Sequence, residues 1–303
     1  MKFVVKKKVM SGEAQYISST QNPKIKHLLA LQEKSSERRK SGLFVVEGRR
    51  ELQHCVEAGY QIDSVFVNDE LGLMIDEYQR GALENVGNLY SSIINHQSSI
   101  FSVSRHVYER IAYRGSTEGI VAIVRAKPHS LEDLLLPSHL PSLREGSGVG
   151  SPLFVILESV EKPGNLGAVL RSADAAGATA VIVCDPLTDL YNPNLIRASI
   201  GACFTVPMVA CSSEECIRFL KDHGVQILTA QLQDSELYYD TDMTGPTAIV
   251  MGTESTGLTD QWRQAADAHI RIPMLGRLDS LNVSVSAAIL LFEAVRQREI
   301  LVK

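Results

Sequence analysis

FVILESVEKPGNLGAVLRSADAAG, residues 154–177, carries three signals in one run. Its first four residues, Phe154-Val155-Ile156-Leu157, are a short apolar run of the kind that builds a buried strand. The run breaks at Pro163-Gly164-Asn165 and resumes with helical spacing through Ala168, Leu170, Ala173 and Ala176. Strand, glycine-bearing turn and helix is the arrangement in which a ligand meets the carboxyl end of a strand. Two polar side chains, Asn165 and Arg171, sit among small and apolar neighbours. A solvated helix face accounts for a lone arginine, so Arg171 takes its meaning from the rest of the chain.

The 303 residues are enough for two domains, and 45% hydrophobic with 21% charged residues is a globular composition. No apolar run is long enough to cross a bilayer, and MKFVVKKKVM at the N-terminus lacks the apolar centre of a signal peptide. Membrane association is therefore not expected, and the cytoplasm is the expected location. The five cysteines, Cys55, Cys184, Cys203, Cys211 and Cys216, are odd in number and contain no CxxC pair. They read as reduced thiols with no metal site. The net charge of −5 divides unevenly: residues 1–50 hold 12 basic against 4 acidic groups, and the remainder 18 against 31. A basic first segment on an acidic chain points to a polyanion contacted at one end.

Residues 1–12 read as a basic tail. A helix follows, with Ser19, Thr20 or Asn22 as cap, Pro23 in its first turn, and a stripe of Ile25, Leu28, Leu29 and Leu31. Lys24 and Lys26 occupy its outer face, and Arg38, Arg39 and Lys40 the basic exit loop beyond it. These five are the candidate phosphate contacts. Short strands at 42–48, 62–68 and 119–126 complete a small α/β domain over 13–127. Residues 128–151, rich in Pro, Gly and Ser, read as a linker. The GxGxG spelled by Gly146, Gly148 and Gly150 follows prolines rather than a strand, so it is no dinucleotide loop. From 152 to 303 strands and helices alternate, with FTVPMVA at 204–210 among the strands, which implies a parallel sheet covered on both faces.

Two further polar clusters stand at strand ends in this second block. GTESTG at 252–257 puts Glu254 between glycines that let backbone approach a flat ligand. IPMLGRLDSLNVSVS at 272–286 leads a strand into a helix start carrying Ser280, Asn282, Ser284 and Ser286, more hydrogen-bonding groups than one cap requires.

Taken together, PGNLGAVLRSADAAGA at 163–178, GTESTGL at 252–258 and IPMLGRLDSLNVSVSAAILLFE at 272–293 resemble the SpoU/TrmH family of RNA ribose 2′-O-methyltransferases, of the SPOUT class. The resemblance covers essentially all of 152–300. ISSTQNPKIKHLLAL, GLFVVEG and GIVAIV in the first block are similar to the L30e-type RNA-binding domain found in many members. This resemblance implies a parallel-sheet α/β domain with a deep trefoil knot, binding S-adenosylmethionine at the knot loops. The implied cofactor contacts are Thr229, Gly252, Ile272, Met274 and Leu281. The implied catalytic set is Arg171, Asn165, Glu254, Ser280 and Asn282, with Asn165 orienting Arg171 or the ribose. It also implies a homodimer, for which the last helix, with Val285, Ala288 and Leu291, is a candidate interface. Ribosomal RNA of the 23S type is the expected substrate; transfer RNA, or a non-catalytic RNA-binding scaffold of the same fold, are the alternatives.

Overall fold

The computed structural model describes residues 15–79, 93, 99–112, 119–136, 150–253, 256–277 and 280–300. The expected basic tail and most of the expected linker lie outside these residues. The chain divides into two compact units, Met1–Arg125 and Ala126–Lys303.

The first unit runs β1 (Gln15–Ile17), α1 (Pro23–Glu33), α2 (Ser35–Ser41), β2 (Leu43–Glu47), α3 (Arg49–Glu57), β3 (Ile62–Asn68), α4 (Asp69–Gln79), β4 (Ser99–Val103), α5 (Arg105–Ile111) and β5 (Ile120–Arg125). Its sheet has the order β1-β4-β3-β5-β2, parallel except where β5 meets β3 and β2. Asn22 is the cap of α1: its side chain accepts from the Lys24 N–H at 2.9 Å, one of the donors a helix start leaves unpaired. Ile25, Leu28 and Leu31 then face Val45, Phe66 and Phe101 in the core. The basic exit loop is instead the helix α2, closed by Gly42 at φ +66°.

The second unit runs β6 (Leu153–Glu158), α6 (Pro163–Ala175), β7 (Ala180–Cys184), α7 (Pro193–Ser199), α8 (Ala202–Thr205), β8 (Met208–Cys211), α9 (Ser213–Asp222), β9 (Gln226–Ala230), β10 (Glu236–Leu237), β11 (Thr247–Met251), α10 (Asp260–Ala265), β12 (Ala268–Arg271) and α11 (Val283–Ile300). Its seven strands are all parallel, in the order β10-β12-β9-β11-β6-β7-β8. Every residue of β6 is buried, as an unbroken apolar strand flanked by neighbours on both edges requires. The strand expected at 204–210 begins only at Met208. Phe204 and Thr205 belong to α8, whose buried Ala202, Cys203 and Phe204 are apolar enough to mimic a strand.

Residues 126–136 belong to the second unit rather than to a linker. Leu134, in a short 3-10 turn, is fully buried in the core beside Leu131 and Leu135, because a run of leucines is too apolar to remain a solvated connection. At the far end of the chain Arg298 donates to the carbonyls of Ser151, Pro152, Met243 and Gly245, tying α11 to the segments that lead into β6 and β11. Burial pushes its guanidinium down to about 10, still protonated at neutral pH.

Candidate active site

The carboxyl ends of β9, β11 and β12 and the start of α11 enclose a cavity of about 430 Å³. Four of the five expected cofactor residues, Gly252, Ile272, Met274 and Leu281, line it, and so does Ser280. Thr229 is the exception. It is fully buried, with its hydroxyl 2.6 Å from Nδ1 of His269 on the neighbouring strand. Thr229 still lies within β9, flanked by β11 and β12, and the cavity wall begins one residue later, at Ala230, where the chain leaves the sheet.

The loop after β11 is shaped by two glycines. A Cβ on Gly252 would stand 2.3 Å from the carbonyl carbon and oxygen of Gly257 and 2.5 Å from the Leu258 nitrogen. Only glycine allows the loop to close on itself this tightly. Gly257 adopts φ +68°, and its N–H donates to the Thr253 carbonyl at 3.0 Å. The Thr253 hydroxyl also accepts from the Thr256 N–H at 3.0 Å. Glu254, expected in the catalytic set, lies outside the described residues.

A smaller cavity of about 110 Å³ adjoins the first, sharing Gly252, Thr253 and Val283 as walls and adding Asn165 and Glu158. Here two of the sequence motifs meet. The Asn282 side-chain N–H donates to the Asn165 side-chain oxygen at 3.2 Å. The Asn282 oxygen in turn accepts from the Ser284 N–H at 3.0 Å and its hydroxyl at 2.6 Å, capping α11. Glu158, buried at the end of β6, accepts from the Thr259 N–H at 2.9 Å and hydroxyl at 2.6 Å, and so holds the following helix rather than a ligand.

Arg171 is exposed and lines neither cavity. It lies six residues beyond Asn165 on α6, and at 3.6 residues per turn that is about 240° around the helix, a different face. The motif glycine between them, Gly167, has a packing role: a Cβ there would meet Ala198 and the Ser199 nitrogen on α7 at 2.6 to 2.8 Å.

Four polar cavity residues carry no motif and were not named among the expected site residues: Gln231, Gln233, Arg263 and Arg271. Oε1 of Gln231 and Nε of Arg263 are buried without a hydrogen-bond partner among the described residues. Unpaired buried polar atoms are costly, and two in one wall suit a polar ligand. Apolar Leu232, Leu258 and Met274 supply the rest of that wall. Arg263 can donate to an amino-acid carboxylate, Gln231 Oε1 can accept from a hydroxyl or amino group, and the apolar side chains can pack on a flat base, so the cavity fits S-adenosylmethionine.

On the first unit, Lys24, Lys26, Arg39 and Lys40 are exposed as expected. Lys24 Nζ stands 4.6 Å from the centre of the Phe101 ring, where the ring face attracts a cation. Arg38 is a correction: it is buried, donating to the carbonyls of Leu31 at 2.6 Å and Gln32 at 3.1 Å, and it ties α2 to the end of α1. Of the expected dimer residues on α11, Leu291 is buried in the core, Ala288 is half-buried and Val285 is 46% exposed, on one stripe with Phe292, which was not expected and is 48% exposed.

Comparison with known proteins agrees with this architecture. The SpoU rRNA Methylase family matches residues 152–292, and the MRM3-like substrate binding domain matches residues 22–122. The chain is 39% identical over 203 residues to the 23S rRNA (guanosine-2′-O-)-methyltransferase RlmB of Photobacterium profundum, covering 67% of this chain and 80% of that protein. An AdoMet-bound rRNA methyltransferase from Sinorhizobium meliloti superposes with a TM-score of 0.79 at 28% identity, over 94% of this chain and 98% of that one. An RNA 2′-O ribose methyltransferase superposes with a TM-score of 0.72 at 34% identity, over 94% of this chain and all of its own (100%). Motifs, fold and relatives agree: the chain belongs to the SpoU rRNA methylase family.

Proposed function

We propose that this protein transfers a methyl group from S-adenosylmethionine to a ribose 2′-hydroxyl of 23S-type ribosomal RNA. The observation that carries the reading is the junction of the two cavities at Gly252, Thr253 and Val283, where the cofactor cleft meets the Asn165–Asn282 pair. S-adenosylmethionine supplies an electrophilic methyl on a sulfonium. The residues of this chain then have three tasks: to hold the ribose in line, to stabilise its oxygen as the proton leaves, and to keep water out. Asn165, fixed by Asn282, is placed to hold a ribose hydroxyl. Ser280 and the Thr253 loop complete the polar rim, and Glu254 belongs to the same loop by sequence.

Arg171 binds the phosphate beside the target ribose in this reading. Its planar fork of N–H donors suits electrostatic stabilisation of the developing alkoxide. In this reading Arg171, on another face of α6 from Asn165, serves the site of the partner in a homodimer. The exposed Val285–Phe292 stripe supports such an interface. A trefoil knot, a cytoplasmic location and RNA capture by Lys24, Lys26, Arg39 and Lys40 belong to the same proposal. Incubating the protein with labelled cofactor and total RNA, then mapping 2′-O-methyl sites, tests it. The label is expected in the large ribosomal RNA. Label confined to transfer RNA would replace the substrate, and no label at all would leave the non-catalytic scaffold.

A further inference from the structure

The spacing of the cysteines argues against a metal site, but the fold overrides spacing. Cys184 at the end of β7, Cys211 at the end of β8 and Cys216 in the first turns of α9 place their sulfur atoms within 4.8 Å of one another. Cys184 and Cys211 are in-register partners on parallel neighbours, so their side chains leave the same face of the sheet. α9 lies over that face, started by a capping box between Ser212 and Glu215, which sets Cys216 above the pair.

The nearby carboxylates are committed elsewhere. Glu158, next in the same row, is held by Thr259, and Asp185 accepts from the Ser213 hydroxyl at 2.6 Å. The thiols are thus left to one another. The Cys211 thiol is held down to about 4 by hydrogen bonds from Cys184 and Cys216, while Cys184, buried and bonded to Cys211, is pushed up. Cys184 and Cys216 are fully buried and Cys211 is half-buried, leaving one side open.

We propose that Cys184, Cys211 and Cys216 form a three-thiolate site for a thiophilic d10 cation of the Zn²⁺ type, with a fourth, non-protein ligand entering on the Cys211 side. Three sulfurs without oxygen or nitrogen partners select soft ions. With Zn–S bonds of about 2.3 Å, tetrahedral sulfurs stand roughly 3.8 Å apart, so the pairs need close by no more than ~1 Å. Binding forms three metal–sulfur bonds and releases the protons of the coordinating thiols to solvent. The site lies on β7, β8 and α9, outside the methyl-transfer cavities, and does not depend on the reaction proposed above.

Full-length protein, stripped with a chelator and kept reduced without added thiol, is titrated with Cd²⁺ while the sulfur-to-metal charge-transfer band is followed. Saturation at one ion per chain, proton release on binding and displacement by Zn²⁺ are expected. Cys211→Ser, at the half-buried position, should lose the band, whereas Cys55→Ser and Cys203→Ser should keep it. A band that survives in Cys211→Ser, or that disappears in Cys55→Ser, overturns the site. A second measurement needs no variant: Zn²⁺ should slow alkylation of Cys211 in the wild-type protein at least tenfold, and an unchanged rate rejects the proposal.

Discussion

Asn282 donates its side-chain amide to the side-chain oxygen of Asn165 at 3.2 Å, across 117 residues of chain. This bond joins the start of α11 to the start of α6, where Asn165 lines the smaller cavity, and it separates two roles that one substitution would confuse. Asn282→Ala loses both the cap and the donor; it should lower stability by about 1 kcal/mol and slow turnover about 10²-fold. Asn282→Ser keeps a cap and loses the amide, so it should unfold at the wild-type temperature yet share the turnover defect. Thermal melts alongside single-turnover assays distinguish the two, and a Ser variant of normal rate would confine Asn282 to capping.

Arg171→Ala should abolish methyl transfer while calorimetry with S-adenosylmethionine stays near the wild-type affinity. Arg171→Lys should not restore the rate, because an ammonium lacks the planar fork that grips a phosphate. Mixing Arg171→Ala protein with Asn165→Ala protein tests the dimer: recovered activity in the mixture means that each site draws on both chains. No recovery from stable mixed dimers would return Arg171 to its own chain's site.

Gly252→Ala forces a methyl group into the backbone of Gly257 and Leu258, so the loop must open. Cofactor affinity is expected to fall more than tenfold, read by calorimetry. Gly167→Ala strikes the α6–α7 crossing instead, with overpacking expected to cost ~1–3 kcal/mol in urea unfolding and little effect on the cofactor.

Alanine at Lys24, Lys26, Arg39 and Lys40 should each flatten the salt dependence of RNA binding, by a slope of roughly 0.7 for every phosphate left unneutralised on single-stranded RNA. Arg38→Ala should leave that slope unchanged and lower stability by about 2 kcal/mol, since its donors serve buried carbonyls. Filter binding over a salt series together with urea melts checks both halves.

Glu293 on α11 accepts from Arg296 Nε at 2.8 Å and Nη2 at 2.7 Å, which holds its carboxyl below the usual range. A folded-state value below the unfolded one stabilises fully above the unfolded pKa of about 4.3 and loses that contribution as pH falls through the folded value. Glu293→Gln should therefore be less stable than wild type at pH 7, and the gap should close in acid. A gap of constant size between neutral and acid urea melts would contradict this.

Local chemistry made most strands of the second unit legible: unbroken apolar runs of strand length, punctuated by Gly and Pro, can be buried in few other ways. β10 was not, since two residues carry no period. The 3-10 turn at Leu134 was hidden for the opposite reason, because prolines around it resemble a linker while its leucines bury. Gln231 and Arg263 had no motif to announce them, for they become site residues only through burial in a wall built by several segments.

The sequence by itself determined the family, the parallel α/β architecture and four residues, Gly252, Ile272, Met274 and Leu281, that line the larger cavity, because strand periodicity and turn glycines act over a few residues. The tertiary structure alone decided which polar groups meet. It joined Asn165 to Asn282 across 117 residues and gathered three cysteines from two strands and a helix. The physical reason is that these outcomes depend on strand register and helix crossing, which are set by packing across the whole sheet rather than by neighbours along the chain.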